Sequence, residues 1–520
     1  MSDQGRWVDG DLVEVGNTAS PFSSFDFVER HFGDYPPIRR LFSQARGLEM
    51  KAVLLENIPA VGLVALENEE ISRLYSDYSM GGLRRMSFWS IEIEDVSDLI
   101  KASPDALLGY AILKEDKVPS LGKQEWHVFE AVTRKNEFRH IYIPSGKQFE
   151  VRIQGTPFSI PGVLYCQQNG LNKACAQVAL RSLCALHVPD SEVSFQAINN
   201  AAASATGPFD PNQGLDVTQM RAVLESFGIR YTDIDYTALS DEEQRALTYQ
   251  KFLYAGIESG AGALLGFKLT GPEASGRHII PFFGHTFNRD TWVPNADSAY
   301  FHVGEDTKYI PSESWLASFV GHDDNFGSNY CVPRLYITPE QAQYVVSLYR
   351  KNVHYSGVEA EAIAVNFLYS MRKHIIPSGP AWLRRMVHYI DTQQVVLRAI
   401  ALTKPEYVTH LRCLQDWSGN REHELVCEQI DQFLPESLWM VELSVPELFP
   451  ANLRKVGEIL LNAGTAPEPD QDVAAYIFAR LPERYFVFSG TADDGTPKFA
   501  IGPSGLVAHT PLFSEACRGA

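Results

Sequence analysis

A polar loop that leads directly into an apolar helix is the feature of this sequence that most restricts its fold. Residues 165–174 are rich in Asn, Gln and Gly, and the residues after them include apolar side chains at Val178, Leu183 and Leu186. This pattern predicts a helix whose first turn contains Cys175. Unpaired backbone N–H groups and the positive end of the helix dipole favour a thiolate there, so Cys175 is a candidate nucleophile.

Acyl transfer by a thiolate also needs hydrogen-bond donors aimed at the developing oxyanion. A side-chain amide shortly before Cys175 can supply one donor, and the backbone N–H of Cys175 can supply another. Gln168 and Gln167 both stand at suitable positions in the sequence.

The elements after this helix follow in an informative order. An amphipathic helix that ends at a glycine is predicted over residues 214–228, and a further helix over residues 251–258. A buried strand is predicted over residues 263–269. Another strand then begins at His278 and ends at Gly284.

This order of elements resembles the papain-like superfamily of cysteine peptidases and is most similar to the bacterial C39-like peptidases. The resemblance covers roughly residues 158–301, about a quarter of the chain. It implies that Cys175 is the nucleophile and His278 its base. The family places an oxyanion-hole glutamine about six residues before the cysteine. Gln168, which stands seven residues before Cys175, fits this spacing better than Gln167.

A third group is expected to orient the imidazole of His278, and two residues compete for this role. Residues 286–290 are rich in turn formers and predict a hairpin. A hairpin centred on this turn places His278 opposite the neighbourhood of Ser298, which favours Asp297. Asn295 suits an Asn-type triad but requires a tighter hairpin or a bulge.

Other histidines and acidic residues receive weaker assignments. His285 is an alternative base, but it follows the strand at a place where the superfamily has turn residues. No HExxH motif or paired-ligand spacing occurs, so we expect no metal and no cofactor. Residues 322–327 lack the later Glu of a calcium loop, and a solvated turn is expected there.

Charge and composition exclude several classes of function. The chain has 64 acidic and 45 basic residues and a formal net charge of -19. Nucleic-acid and anionic-membrane binders need clustered cations, so neither partner is expected. The sequence shows no signal peptide, no apolar stretch of membrane-spanning length and no regular cysteine spacing. These features predict a cytoplasmic protein with reduced thiols.

The length of 520 residues predicts two or three domains, and the mixture of patterns predicts an α+β fold class. We expect a poorly ordered start over residues 1–24, an N-terminal α+β domain over 25–155, the papain-like domain over 156–335 and a C-terminal α/β domain over 336–520. In the last segment, helices are predicted over residues 339–350, 359–372 and 453–463, and strands over 395–402, 438–445 and 485–489.

These observations predict a thiol hydrolase that cleaves an amide bond in a protein or peptide, with flanking domains that select or shield the substrate. A first alternative is a transglutaminase or deamidase with the same Cys-His-Asp machinery. A second is a catalytically inactive papain-like binding module. The hydrolase and the transglutaminase or deamidase use the same catalytic residues. They differ in the acceptor of the acyl group, which depends on water access and on the shape of the cleft. Oligomeric state and substrate identity do not follow from the sequence.

Overall fold

The fold was established from a computed structural model. It combines helices with strands that form several sheets, in agreement with the predicted α+β class. In the described part of the chain, no helix is long and apolar enough to cross a membrane. The structure describes residues 6, 8–18, 22–134, 141–142, 146–188, 193–240, 247–270, 276–288, 293–294, 297–298, 308–372, 381–414, 431–466, 475–481, 484–493, 497–503 and 510–514.

The N-terminal unit, residues 8–134, is an antiparallel sheet with helices beside it. Its strands follow one another in chain order across the sheet. They are β1 (Asp11–Asn17), β2 (Ala52–Asn57), β3 (Ser79–Trp89), β4 (Leu107–Val118) and β5 (Lys123–Thr133). The helices are α1 (Ser24–Phe32), α2 (Pro36–Gly47), α3 (Gly62–Leu74) and α4 (Ser97–Lys101).

The prediction of a poorly ordered start is wrong for residues 8–18, because β1 pairs with β2 along its length. Arg6, just before it, is buried and forms an ion pair of 2.7 Å with Glu130 on β5. A buried charge of this kind requires a partner, and Glu130 provides it. Arg6 and residues 8–18 are therefore part of the N-terminal unit.

The central unit contains the segment, roughly residues 158–301, for which the sequence predicts a papain-like order of elements. The strands of this stretch of the chain are β6 (Ile141–Tyr142), β7 (Lys147–Ile153), β8 (Thr156–Gly162), β9 (Tyr231–Asp235), β10 (Ala263–Leu269), β11 (Gly276–Phe287), β12 (Asp297–Ser298), β13 (Lys308–Pro311), β14 (Leu316–Asp323), β15 (Gly327–Pro333) and β16 (Ala342–Leu348). The helices are α5 (Cys175–His187), α6 (Phe195–Thr206), α7 (Val217–Ser226) and α8 (Tyr249–Glu258).

Seven of these strands form the central sheet, in the order β15-β14-β11-β10-β16-β9 with β6 beside β11, while β7 and β8 pair with each other. The predicted strand over 263–269 is confirmed as β10, and the predicted helices over 214–228 and 251–258 correspond to α7 and α8. The helix predicted over 339–350 is wrong. Ala342–Leu348 instead forms β16, and its central residues are buried between β10 and β9.

A third sheet lies towards the C-terminus, in the order β12-β13-β17-β18-β20-β21-β22-β23. Its later strands and their neighbours are β17 (Val396–Thr403), β18 (Ser437–Ser444), β19 (Arg454–Lys455), β20 (Gly457–Asn462), β21 (Tyr476–Leu481), β22 (Arg484–Thr491), β23 (Pro497–Pro503) and β24 (Thr510–Pro511). The helices are α9 (Gly357–Met371), α10 (Ala381–Asp391) and α11 (Lys404–Cys413).

The predicted helix over 359–372 is confirmed as α9, and the three predicted strands are confirmed as β17, β18 and β22. The helix predicted over 453–463 is wrong. Gly457–Asn462 forms β20, which is buried against β18. A short apolar run does not distinguish a buried strand from a buried helix by its periodicity.

The chain crosses between the central and third sheets at both sides of the predicted boundary near residue 335. β12 and β13 precede this boundary but belong to the third sheet, and β16 follows it but belongs to the central sheet. Buried ion pairs also join the two units, since Arg398 on β17 lies 2.7 Å from Glu258 on α8. The strands of the two units therefore alternate along the chain, and buried charges join the units.

Candidate active site

Cys175 is the first residue of α5, as the sequence predicts, and its side chain is partly buried. The Gln177 side chain fixes this helix start. Its Oε1 accepts a hydrogen bond of 3.2 Å from the backbone N–H of Ala174, and its Nε2 donates one of 3.0 Å to the carbonyl of Pro211. The thiol is thereby held at the positive end of a helix that packs against β11.

His278 stands on β11, opposite Phe267 of β10 in the sheet. The Phe267 ring lies edge-on to the imidazole, with 5.7 Å between ring centroids. Cys175 and His278 line the same groove, and the thiol is near enough to raise the pKa of the imidazole. The predicted nucleophile and the predicted base are therefore neighbours.

Two consecutive aspartates at the end of β14 face the same imidazole. Asp323 Oδ2 lies 3.1 Å from His278 Nε2, and Asp324 Oδ1 lies 3.6 Å from it. The other oxygen of Asp323 accepts hydrogen bonds from the backbone N–H groups of Asn325, at 2.8 Å, and Phe326, at 3.0 Å. Asp323 is thus the carboxylate that orients the His278 ring.

These contacts strongly favour the charged form of His278. Burial alone would lower its pKa, but the hydrogen bond with Asp323, the neighbouring Cys175 thiol and the charges of both aspartates raise the pKa to about 10. Burial raises the pKa of Asp324 to about 6, although the charge of His278 acts in the opposite direction. An imidazolium beside Cys175 is the state that stabilises a thiolate.

The structure corrects the predicted third group. The strand beside β11 on its far side is β14, so the predicted hairpin partner of His278 is not the segment around Ser298. The backbone of Asp297 instead pairs with Tyr309 in the third sheet. Asn295 lies outside the described residues. Asp323 is therefore the residue beside His278 where the predicted hairpin would have placed Asp297.

The prediction of a solvated turn over residues 322–327 is also wrong in its first half. Asp323 and Asp324 are 2% and 4% exposed, respectively. Sequence reasoning missed both because they follow β11 by about 40 residues. The available signal was an Asp-Asp-Asn turn directly after the apolar run of β14.

The two candidate glutamines occupy different environments. Gln168 Nε2 donates a hydrogen bond of 3.3 Å to Asn325 Oδ1, in the turn that carries Asp323. Gln167 instead pairs with β5, because its Oε1 accepts a 3.1 Å hydrogen bond from the backbone N–H of Val128. This difference favours Gln168 over Gln167 as the residue that faces the site.

His285, the alternative base, has a different set of neighbours from His278. It is fully buried and its Nε2 is hydrogen-bonded to Glu258 on α8. The rings of Tyr254 and Phe287 pack around it, at centroid distances of 5.3 Å and 4.4 Å. We conclude that His285 is a structural histidine at the boundary with the third sheet.

The side chains of His278, Asp323 and Asp324 could also hold a divalent cation, since one ligand atom from each lies within 4.8 Å of the others. A cation on His278 Nε2 would replace the hydrogen bond with Asp323. The sequence spacing gave no indication of such a cluster, because its members come from two distant strands. A cation on Nε2 would therefore displace the proton that the imidazolium carries on that nitrogen, so metal binding and a thiolate–imidazolium pair exclude each other.

An open groove of about 750 Å³ begins at Cys175 and His278. It runs across the central sheet from His278 past Phe267 to Tyr344, on the side away from Asp323. The loop before α7 forms its opposite rim and contributes Leu215. Cys175 and His278 are therefore accessible from the groove.

Comparisons of the chain with protein-family models, with curated proteins and with solved structures found no match. The geometry of the site and the order of elements that the sequence predicts are the features of the chain that point to a function.

Proposed function

We propose that this protein is a papain-like thiol hydrolase that cleaves an amide bond in a protein or peptide. The observation that carries the proposal is the position of His278, whose imidazole lies beside Cys175 at one groove and is hydrogen-bonded to Asp323. A nucleophile, a base and a group that orients the base are the three parts of such a centre. We call Cys175, His278 and Asp323 the thiol centre.

In the proposed reaction, Asp323 binds His278 Nε2 and leaves Nδ1 to exchange a proton with Cys175. The thiolate attacks the acyl carbon of the substrate. As the C–N bond breaks, the Nδ1 proton passes to the leaving amine and an acyl-enzyme remains. Neutral His278 then takes a proton from water, the resulting hydroxide attacks the acyl carbon, and the acid is released with return of the thiolate.

The tetrahedral intermediates need donors for their oxyanion, and the backbone N–H of Cys175 is one such donor. Gln168 is the second in this proposal. Its hydrogen bond to Asn325 holds its amide beside the turn of Asp323. Asn325 therefore links the proposed oxyanion donor to the carboxylate that orients the base.

The groove beside the thiol centre gives the acyl part of the substrate a place to lie. Its walls combine Phe267, Tyr344 and Leu215 with polar side chains of the loop before α7. A mixture of apolar surface and a few polar groups is typical of ligand-binding clefts. An extended peptide segment fits an open groove of this kind better than an enclosed cavity.

Labelling with a peptide acyloxymethyl ketone, which alkylates activated cysteines, tests the proposal. We expect labelling of Cys175 in the wild type, none in Cys175→Ala and little in His278→Ala, whereas His285→Gln retains it. The exposed Cys413 serves as an internal reference for non-activated thiols. Equal labelling of Cys175 and Cys413 in the wild type would contradict an activated thiol and favour an inactive binding module.

Two further arms separate the remaining alternatives. Incubation with a fluorescent amine and a glutamine-containing protein distinguishes transfer from cleavage, because a transglutaminase incorporates the amine and a hydrolase produces shorter fragments. Treatment with a chelator tests the cation-binding alternative at His278. Cleavage that is lost on chelation and restored by zinc would reject the thiol mechanism.

A further inference from the structure

The turn that carries Asp323 is held by a helix from a distant part of the sequence. Arg40 and Gln44 stand four residues apart on α2, so their side chains share one face of that helix. This face packs against β15, which begins at Gly327 directly after the turn. The contact spans more than 280 residues of sequence.

Both side chains bind the backbone just after the turn. Arg40 donates through Nε to the carbonyl of Ser328, at 2.6 Å, and through Nη2 to the carbonyl of Asn329, at 2.7 Å. Gln44 Nε2 donates to the same Ser328 carbonyl at 2.5 Å, and its Oε1 accepts from Ser328 Oγ at 2.7 Å. Four hydrogen bonds therefore fix two consecutive residues of β15.

The backbone at this place is shaped for Arg40. Gly327 has a φ of 107°, a backbone conformation that residues other than glycine rarely adopt. A Cβ on Gly327 would lie 2.8 Å from Cδ of Arg40. The guanidinium also lies over the ring of Tyr330, 5.5 Å from its centroid. The Arg40 side chain thus fits closely against the strand that follows Asp323.

The N-terminal unit also holds the loop that precedes the nucleophile. Glu67 on α3 forms a buried ion pair of 2.5 Å with Lys173, two residues before Cys175. Glu70, one turn later, accepts a hydrogen bond of 2.6 Å from Asn172. The N-terminal unit therefore contacts both the turn of Asp323 and the loop before Cys175, the two segments that meet at His278.

We propose that the N-terminal unit is a positioning element of the thiol centre, with Arg40 and Gln44 as the residues that fix the turn of Asp323 against His278. This inference rests on the proposed function. It assigns the unit a role different from the selection or shielding of substrate that the sequence suggested.

The physical consequence concerns the hydrogen bond between Asp323 and His278. If Arg40 and Gln44 are removed, the turn gains freedom and this bond is made less often. The titratable groups that face His278 are Cys175, Asp323 and Asp324, with Tyr165 next to Asp324. A weaker contact with Asp323 leaves less imidazolium beside Cys175, and hence less thiolate at neutral pH.

The test is the rate of Cys175 alkylation by iodoacetamide as a function of pH in the full-length chain, measured by mass spectrometry. In Arg40→Met, which keeps the apolar stem, we expect the rate near pH 6.5 to fall by about tenfold or more. The rate is expected to recover at high pH, where any thiol ionises. Arg40→Lys, which keeps the charge but cannot bridge two carbonyls in the same way, is expected to be intermediate.

Arg39→Met is the matched control, because Arg39 is adjacent on α2 but pairs with Asp34 at 2.8 Å. Its profile is expected to match the wild type. If Arg40→Met does not fold, Gln44→Met examines the same contact. A wild-type profile in both folded variants, even with lower thermal stability, would overturn the positioning role alone. Wild-type Cys175 that reacts no faster than Cys413 would reject the proposed function and this inference together.

Discussion

Strand β11 carries two buried histidines, and the contrast between them shows what makes one of them a candidate catalyst. His278 and His285 are each hydrogen-bonded through Nε2 to a carboxylate. His278 also borders the groove and lies beside Cys175. His285 lies between aromatic rings at the boundary with the third sheet. Burial and a carboxylate partner are therefore not sufficient to identify a base.

The carboxylate partners of the two histidines, Glu258 and Asp323, also have different surroundings. Burial would raise the pKa of Glu258, but Arg398 and His285 lower it to about 2. Arg398 lies 2.7 Å from Glu258 and 3.0 Å from Glu442, so the charge of Glu258 belongs to a larger network. Asp323 binds His278 and the backbone of its own turn. The first arrangement holds two units together, whereas the second holds one ring in place.

The largest expected effect on activity comes from replacing Cys175, the thiol beside His278. Cys175→Ala removes the nucleophile, and we expect hydrolysis of a peptide substrate to fall by a factor on the order of 10⁵. Cys184→Ala, on the same helix, is the matched control, because burial raises the pKa of Cys184 to about 12 and makes it inert. Comparable loss in both variants would mean that α5 as a whole, and not Cys175, is required.

A smaller loss is expected from the proposed oxyanion donor. Gln168→Ala removes a side-chain amide, and a lost donor of this kind lowers kcat by about 10²- to 10³-fold. Gln167→Ala is expected to keep kcat near the wild-type value, since Gln167 pairs with Val128 on β5. Steady-state kinetics with a fluorogenic peptide distinguishes the two. A larger effect of Gln167→Ala would reverse the assignment.

The pH dependence sharpens the role of Asp323. The imidazolium of His278 persists at neutral pH and is lost as pH rises through about 10. Asp323→Asn removes the hydrogen-bonded charge that raises this pKa, so the alkaline limb of kcat/KM is expected to move to lower pH. Each unit of this shift costs about tenfold in imidazolium above the new pKa. An unmoved alkaline limb would show that Asp323 does not act on His278.

The smallest effect on activity is expected on the His285 side. His285→Gln disturbs a buried contact with Glu258, and we expect the free energy of unfolding to fall by about 1–3 kcal/mol. Urea denaturation measures this loss, and kcat/KM at a temperature where the variant is folded is expected to stay unchanged. A folded His285→Gln variant without activity would make His285 a part of the reaction and break the comparison.

The local parts of the site could be predicted from sequence because they depend on neighbouring residues. The polar loop before an apolar run placed Cys175 at the start of α5, and the run of apolar residues placed His278 on a strand. Two apolar runs were nevertheless assigned to helices although they form β16 and β20. Their periodicity alone did not distinguish the two kinds of buried element.

The parts that depend on strand order could not be predicted. The prediction of Asp297 assumed that β11 forms a hairpin with the next segment of the chain. Only about two thirds of sequential strands are neighbours in this way. β11 instead pairs with β14, and this brings Asp323 to His278. The contact of Arg40 with Ser328 is more distant still and has no local sequence signal.

The most direct test of the thiol centre is the titration of His278 by NMR in protein with isotopically labelled histidine, assigned with His278→Gln. We predict that His278 remains protonated at pH 8 and titrates near pH 10 in the wild type, and at a lower pH in Cys175→Ala and in Asp323→Asn. A wild-type His278 that is neutral at pH 8 and unaffected by either substitution would contradict the proposed thiolate–imidazolium pair.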